Sequence, residues 1–247
     1  MQTLPTKLEL EPLIDVVFEV RFQSYVPAST ILPGLFFQKL IAPTVEKLPL
    51  AQLPQDFRDA NPNLSYAPTE LLRSECYSYM IGDKVLAVGA VMPYQGWKNF
   101  KPAILEAVST LKDSKIVTSI ERFSLKYVDL IKEVSLTDQL GALKLDLSVG
   151  GNKILNEPLQ LRVEMQRDGF TQVLQCLTNA QAHYEGKIIA SGLVVDVDSI
   201  ANCSNVDINQ FHAELPDKLE SLHISNKKVF FSTITGAALD KLKPSYT

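Results

Sequence analysis

Glu11-Pro12-Leu13-Ile14-Asp15-Val16-Val17-Phe18-Glu19-Val20-Arg21-Phe22 is the stretch that decides the fold. Ile14, Val16, Phe18, Val20 and Phe22 recur at every second position. Asp15, Glu19 and Arg21 occupy the alternate positions, with Leu13 and Val17 among them. A period of two is that of a strand with one buried face. The pattern predicts a sheet, and a sheet alone names no reaction.

Working outward, the chain alternates between strand and helix patterns. Pro27 marks a turn, and Pro33 suits the first turn of a helix predicted from Ile31 to about Val45. Residues 48–69 hold Pro49, Pro54, Pro62 and Pro68 and read as a loop or insertion. Strands are predicted over Glu75–Ile81 and Lys84–Met92, joined by a tight turn at Gly82-Asp83. Trp97, Phe100, Ile104, Val108 and Leu111 form one stripe at helical spacing, which predicts a helix over 96–112. A long strand follows at Ser119–Ile131, and 136–151 ends in the turn Gly150-Gly151-Asn152.

In the second half, Leu159, Leu161, Val163 and Met165 alternate with Gln160, Arg162 and Glu164. Asp168-Gly169 then turns the chain into a strand over Thr171–Ala180, a hairpin signal. Another strand is expected over Lys187–Val197, preceded by Gly186. A short helix near Ile208–Glu214, capped by Asn205 or Asp207, precedes a longer one that starts at Pro216 and runs to about Ser232. Thr235 caps a last helix through Leu242. The expected fold is α+β: a large, mostly antiparallel sheet with helices 31–45, 96–112 and 216–232 packed on one face. Residues 1–247 read as a single domain. Glu11-Pro12-Leu13 and Glu157-Pro158-Leu159 both open alternating strands, which raises a weak duplication across 1–150 and 151–247, although three residues can match by chance.

Composition narrows the function classes. Of 247 residues 46% are apolar, enough for a substantial core, and the net charge is −4. That balance lacks the basic footprint of a duplex-DNA binder. Cys76, Cys176 and Cys203 are odd in number, widely spaced and outside any CxxC, so a disulfide framework is not expected. The first ten residues lack the apolar region of a signal peptide. The apolar runs fall far short of the roughly 20 residues of a membrane span. A reducing cytoplasm and no membrane partner are the expectations.

No GxGxxG, GxxxxGK[ST], GxSxG or HExxH occurs. The histidines are His183, His212 and His223. Glu220 and His223 would share a helical face, but a di-metal bundle site needs that pair twice, so His223 reads as a packing residue. Asp196 and Asp198 point to one side of a strand and could hold Mg²⁺ with Glu164 or Asp168. Their plainer reading is the end of that strand and the start of a turn. The strand polar faces carry Asp15, Glu19, Arg21, Arg122, Lys126, Arg162 and Glu164. They form either a solvated face with cross-strand ion pairs or a mixed-charge binding surface. Tyr25, Tyr94, Trp97 and Phe100 could stack a base, or belong to the core edge.

Pro12 to Phe22, Arg122-Phe123-Ser124-Leu125-Lys126-Tyr127-Val128-Asp129-Leu130-Ile131, Leu219 to His223 and Val229 to Thr235 together resemble a sporadically distributed bacterial protein family of unknown function, about 250 residues long. The resemblance spans most of the chain and implies a bacterial cytoplasmic protein with no assigned catalytic residues. A patchy distribution suits defence or mobile-element genes. The chain reads as a non-enzymatic binding or regulatory protein acting with a protein partner or as a homodimer, with no cofactor. The alternatives are a metal-dependent hydrolase or nuclease using Asp196 and Asp198, and a nucleic-acid binder using Arg122, Lys126 and Arg162.

Overall fold

A computed structural model describes residues 4–61, 64–133, 135–184 and 187–246, with the side chains of residues 59, 183, 184 and 189 outside the description. Pro62, Gly186 and the His183 side chain therefore lie outside the described residues. In chain order the elements are β1 (Lys7–Leu8), β2 (Leu13–Ser24), α1 (Leu32–Lys39), β3 (Thr44–Lys47), α2 (Gln55–Ala60), β4 (Pro68–Arg73), β5 (Tyr77–Gly82), β6 (Val85–Ala90) and α3 (Trp97–Asp113). They continue with β7 (Val117–Ile131), α4 (Leu136–Gly141), β8 (Ser148–Val149), β9 (Asn152–Lys153), β10 (Gln160–Arg167), β11 (Phe170–Tyr184), β12 (Lys187–Val206), α5 (Ile208–Thr233), α6 (Gly236–Lys241) and β13 (Pro244–Ser245).

The fold is α+β, built on a nine-stranded antiparallel sheet in the order β10-β11-β12-β7-β2-β6-β5-β4-β3. Two small two-stranded sheets, β1-β13 and β8-β9, stand outside it. The chain forms two compact units. The first holds residues 1–15, 126–199 and 223–247, and the second holds 16–125 and 200–222. β2, β7, β12 and α5 contribute residues to both.

In the second unit, Val16, Phe18, Val20 and Phe22 of β2 are fully buried, as the alternation requires. Each such side chain contributes about 1.5–3 kcal/mol of burial. Phe18 meets Phe123 at 6.4 Å between ring centroids, and Phe123 meets Phe211 of α5 at 5.4 Å. Phe100, Ile104, Val108 and Leu111 of α3 are equally buried. In the first unit, Leu174 and Cys176 of β11 and Leu193, Val195 and Val197 of β12 pack with Val229 and Phe230 of α5.

Several boundaries differ from the sequence expectation. The helix expected over 31–45 ends at Lys39, and 44–47 is the strand β3. Pro43 lacks an N–H for the carbonyl of Lys39 and disfavours a helical Ala42, which takes φ 44°. The proline-rich segment 48–69 is not simply a loop, because it holds α2 and a 3₁₀ turn over Pro49–Gln52. The β5–β6 turn falls on Asp83-Lys84, one residue later than expected, since Ile81 pairs with Leu86. The two helices expected at 208–214 and 216–232 are one, with Pro216 inside α5. Phe211, Leu215, Leu219 and Leu222 are all fully buried, so one apolar stripe runs across the proline. That burial outweighs the ~3 kcal/mol a helix-interior proline costs. β12 runs nine residues past Val197 to Val206, which puts Asp196 and Asp198 inside a strand and not at its end.

Candidate functional site

Six of the seven charged strand residues fall into three sets of ion pairs, and the charge of the seventh, Asp15, acts on Lys126. On β2, Glu19 Oε1 accepts from Arg21 Nε at 2.7 Å and from Arg122 Nη2 at 3.1 Å. Tyr66 lies over this set, with the Arg21 guanidinium 4.7 Å from its ring centre and its hydroxyl donating to Glu121 at 2.6 Å. Burial, then the Glu121 hydrogen bond, pushes the Tyr66 hydroxyl up to about 12. The polar side of β2 is thus partly covered, by a tyrosine from the proline-rich segment.

The second set surrounds Asp196. Its Oδ2 accepts from Lys126 Nζ at 2.8 Å and Gln175 Nε2 at 3.2 Å, while its buried Oδ1 has no donor. Burial works to lower the Lys126 pKa, but the Asp196 hydrogen bond and the charges of Asp196, Asp198 and Asp15 outweigh it and raise it. Asp129 is 7% exposed, and burial pushes its carboxyl up to about 8, with Glu11 and Asp196 adding to the shift. Asp129 is therefore neutral at pH 7, an acid that no sequence pattern singles out. Glu164 and Asp168, the sequence candidates for a third metal ligand, are engaged otherwise: Glu164 with Arg162, and Asp168 with Lys228 at 3.1 Å and Ser225 at 3.2 Å. Among the described residues no three His, Cys, Asp or Glu side chains are grouped to hold a metal ion.

The third set is Arg162 and Glu164 alone, 2.5 Å apart on β10. The local sequence builds this strand closely. Asp168 and Gly169 take φ 53° and 82°, the two positive values of a type I′ hairpin turn. The register then runs without a bulge from Arg167↔Phe170 to Gln160↔Leu177. A two-residue turn makes its flanking pair hydrogen-bonded, and bonded pairs alternate. Residues 161, 163, 165 and 167 therefore bond to β11, and residues 160, 162, 164 and 166 direct their amides and carbonyls away from it. β10 is the last strand of the sheet, and among the described residues no backbone hydrogen bond reaches it from another element.

The hairpin is anchored through buried polar groups. Gln172 Nε2 donates to Ser225 Oγ at 2.9 Å, Ser199 Oγ donates to Gln172 Oε1 at 2.5 Å, and Asn226 Nδ2 donates to Ser199 Oγ at 3.0 Å. Gln172, Ser199, Ser225 and Asn226 are all at most 2% exposed, so a buried network ties β11 and β12 to α5. Beneath β10 this leaves a cleft of about 170 Å³. Leu161 and Met165 of β10, Leu145, Leu174 and Val229 supply its apolar lining, and Lys144 and Arg167 supply its charge.

Of the remaining sequence candidates, Tyr25 is 79% exposed and does not join the core edge, and the others are engaged by neighbouring side chains. Glu220 accepts from Trp97 Nε1 at 3.0 Å and Lys101 Nζ at 2.9 Å. His223 lies 5.9 Å from the Tyr127 ring, in keeping with its reading as a packing residue. Tyr77, Tyr94 and Trp97 surround the buried Phe100 at 5.9–6.4 Å. Cys76 is exposed, Cys176 and Cys203 are buried, and all three are free thiols. Among the described residues no helix is long and apolar enough to cross a membrane.

The chain matches no family model and no curated protein.

Proposed function

We propose that the protein is a non-enzymatic binding or regulatory module that acts by pairing with a protein partner. The observation that carries this reading is the open edge of β10. Eight regular residues without proline or bulge offer outward amides and carbonyls beside an apolar cleft. Extended segments add to such edges through main-chain hydrogen bonds. The opposite end of the sheet is different in kind. β3 has four residues, carries Glu46 and Lys47, and lies between Pro43 and Pro49, the devices that blunt an edge. The setting we infer is the bacterial cytoplasm, in a defence or mobile-element context; the free thiols suit a reducing compartment and bear on that part alone.

Glu164→Pro tests this. Its N–H points away from β11, so proline blocks the edge and spares the ladder. Affinity capture from cells that make the protein should recover a partner with the natural chain and lose it with E164P. Equal capture by both, with the variant shown to be folded, contradicts the reading.

A second reading, hydrolysis assisted by Mg²⁺ at Asp196 and Asp198, is favoured by the buried Asp196 Oδ1 that has no donor. It requires Mg²⁺ to raise the melting temperature of the natural chain and not that of Asp196→Asn. A nucleic-acid reading through Arg122, Lys126 and Arg162 has less support, because each of these cations faces a carboxylate.

A further inference from the structure

The edge of β10 carries a self-complementary sequence. Gln160-Leu161-Arg162-Val163-Glu164-Met165-Gln166 reads outward from Val163 as Arg against Glu, Leu against Met and Gln against Gln. We propose that this edge pairs antiparallel with the same edge of a second copy of the chain, with Val163 on the two-fold axis. The inference rests on β10 being a protein-binding edge and names the partner as an identical chain.

The hydrogen-bonding parity fits. Residues 160, 162, 164 and 166 present their backbone groups outward. Centring the pair on Val163 puts each of these even positions opposite another even position, so outward groups meet outward groups. Arg162 faces Glu164 of the partner subunit, and Glu164 faces Arg162 of the partner subunit. The free chain already joins these two residues at 2.5 Å, so the dimer sets four alternating charges side by side. On the other face, Leu161 meets Met165 of the partner subunit, and Val163 meets Val163 of the partner subunit. These are the non-hydrogen-bonded positions, where cross-strand side chains approach most closely. Leu161 and Met165 pack on the core beneath them, so the apolar row continues from one copy to the other.

Competing registers are penalised. A one-residue slip sets outward groups against inward ones. A centre on Arg162 puts two arginines opposite each other, and a centre on Glu164 puts two glutamates opposite each other, both unfavourable. The sequence thus selects one register by attraction and rejects its neighbours by repulsion. Two-fold contacts of this kind are isologous: each patch meets its own copy and the assembly closes at two.

Charge swaps test the proposal, and the side chains of Arg162 and Glu164 are exposed, so the fold should tolerate them. Sedimentation of the natural chain over a dilution series should give a monomer–dimer equilibrium. Arg162→Glu and Glu164→Arg should each weaken self-association by about tenfold or more. The double variant R162E/E164R should regain it. An equal mixture of the two single variants should form mixed dimers, since the two carboxylates of the R162E edge then face the two guanidinium groups of the E164R edge. A chain that stays monomeric at its solubility limit, single variants that dimerise like the natural chain, or a mixture that does not pair would each overturn the proposal. A monomer whose capture of a different protein is abolished by E164P sinks self-pairing and leaves the binding-edge reading standing.

Discussion

Arg162 and Glu164 are joined by a 2.5 Å ion pair across Val163, on a strand whose outer edge meets no other strand among the described residues. Exposed ion pairs of this kind contribute little to stability, about 0–1 kcal/mol. Their value here lies in specificity: the order of the two charges fixes which strand can lie alongside. Replacing either residue by alanine should therefore leave the denaturation midpoint nearly unchanged. A loss above about 1.5 kcal/mol in urea unfolding would show that the pair is structural.

Asp83 sits in the β5–β6 turn at 4% exposure and is held by Arg58 Nη2 at 2.8 Å and Nε at 3.2 Å, with Ser29 Oγ at 2.5 Å. Arg58→Ala leaves a buried carboxylate without its counter-charge. The expected loss is about 3–5 kcal/mol, read from urea unfolding. A loss below about 1 kcal/mol would show that the pair is not what holds α2 to the turn.

Asp129 makes stability fall with pH. Its folded carboxyl titrates at about 8, against about 3.9 for an unfolded aspartate. Between those values the folded chain holds a proton that the unfolded chain has released. Its contribution is complete below pH ~4 and is lost as pH rises through about 8, with a slope approaching 1.4 kcal/mol per pH unit. Asp129→Asn should show a flatter profile and be the more stable form at pH 8, by thermal unfolding across that range. Parallel profiles for the two proteins would contradict the buried neutral acid.

Pro216 interrupts the hydrogen bonding of α5, leaving the His212 carbonyl without its helical donor. Pro216→Ala should stabilise the chain by about 1–3 kcal/mol, the helix gain less the ~0.4–1 kcal/mol of entropy returned to the unfolded chain. An unchanged or lower melting temperature would mean that the proline shapes a bend the packing requires.

The parts of this fold that announce themselves in sequence are those with local periodicity. β2 is readable because Val16, Phe18, Val20 and Phe22 alternate on one face and are each fully buried. The β10–β11 hairpin is readable because Asp168-Gly169 suits a type I′ turn, and α3 because of its stripe from Phe100 to Leu111. α5 reads as two helices because Pro216 is a strong local signal, and only tertiary burial of Phe211 and Leu215 overrides it. Long-range pairs leave no trace: Arg58 with Asp83 and Tyr66 with Glu121 are 25 and 55 residues apart. The raised Asp129 carboxyl depends on burial that no spacing encodes. For the candidate site, alternation along 160–166 assigns Arg162 and Glu164 to one face, but a strand pattern does not say whether its edge is free. The self-complementary order around Val163 gains meaning once β10 is the last strand of the sheet.

The most direct measurement places a cysteine on the proposed axis. Val163→Cys in a Cys76→Ser background puts two thiols opposite each other where the Cα atoms of a non-hydrogen-bonded pair lie about 4.5 Å apart, within disulfide range. Cys176 and Cys203 are buried and should stay silent. Mild oxidation should convert the folded chain to a covalent dimer, and Gln166→Cys in the same background, which faces Gln160 of the partner subunit, should not cross-link. No cross-link at position 163, or equal cross-linking at 163 and 166, contradicts pairing of β10 about Val163.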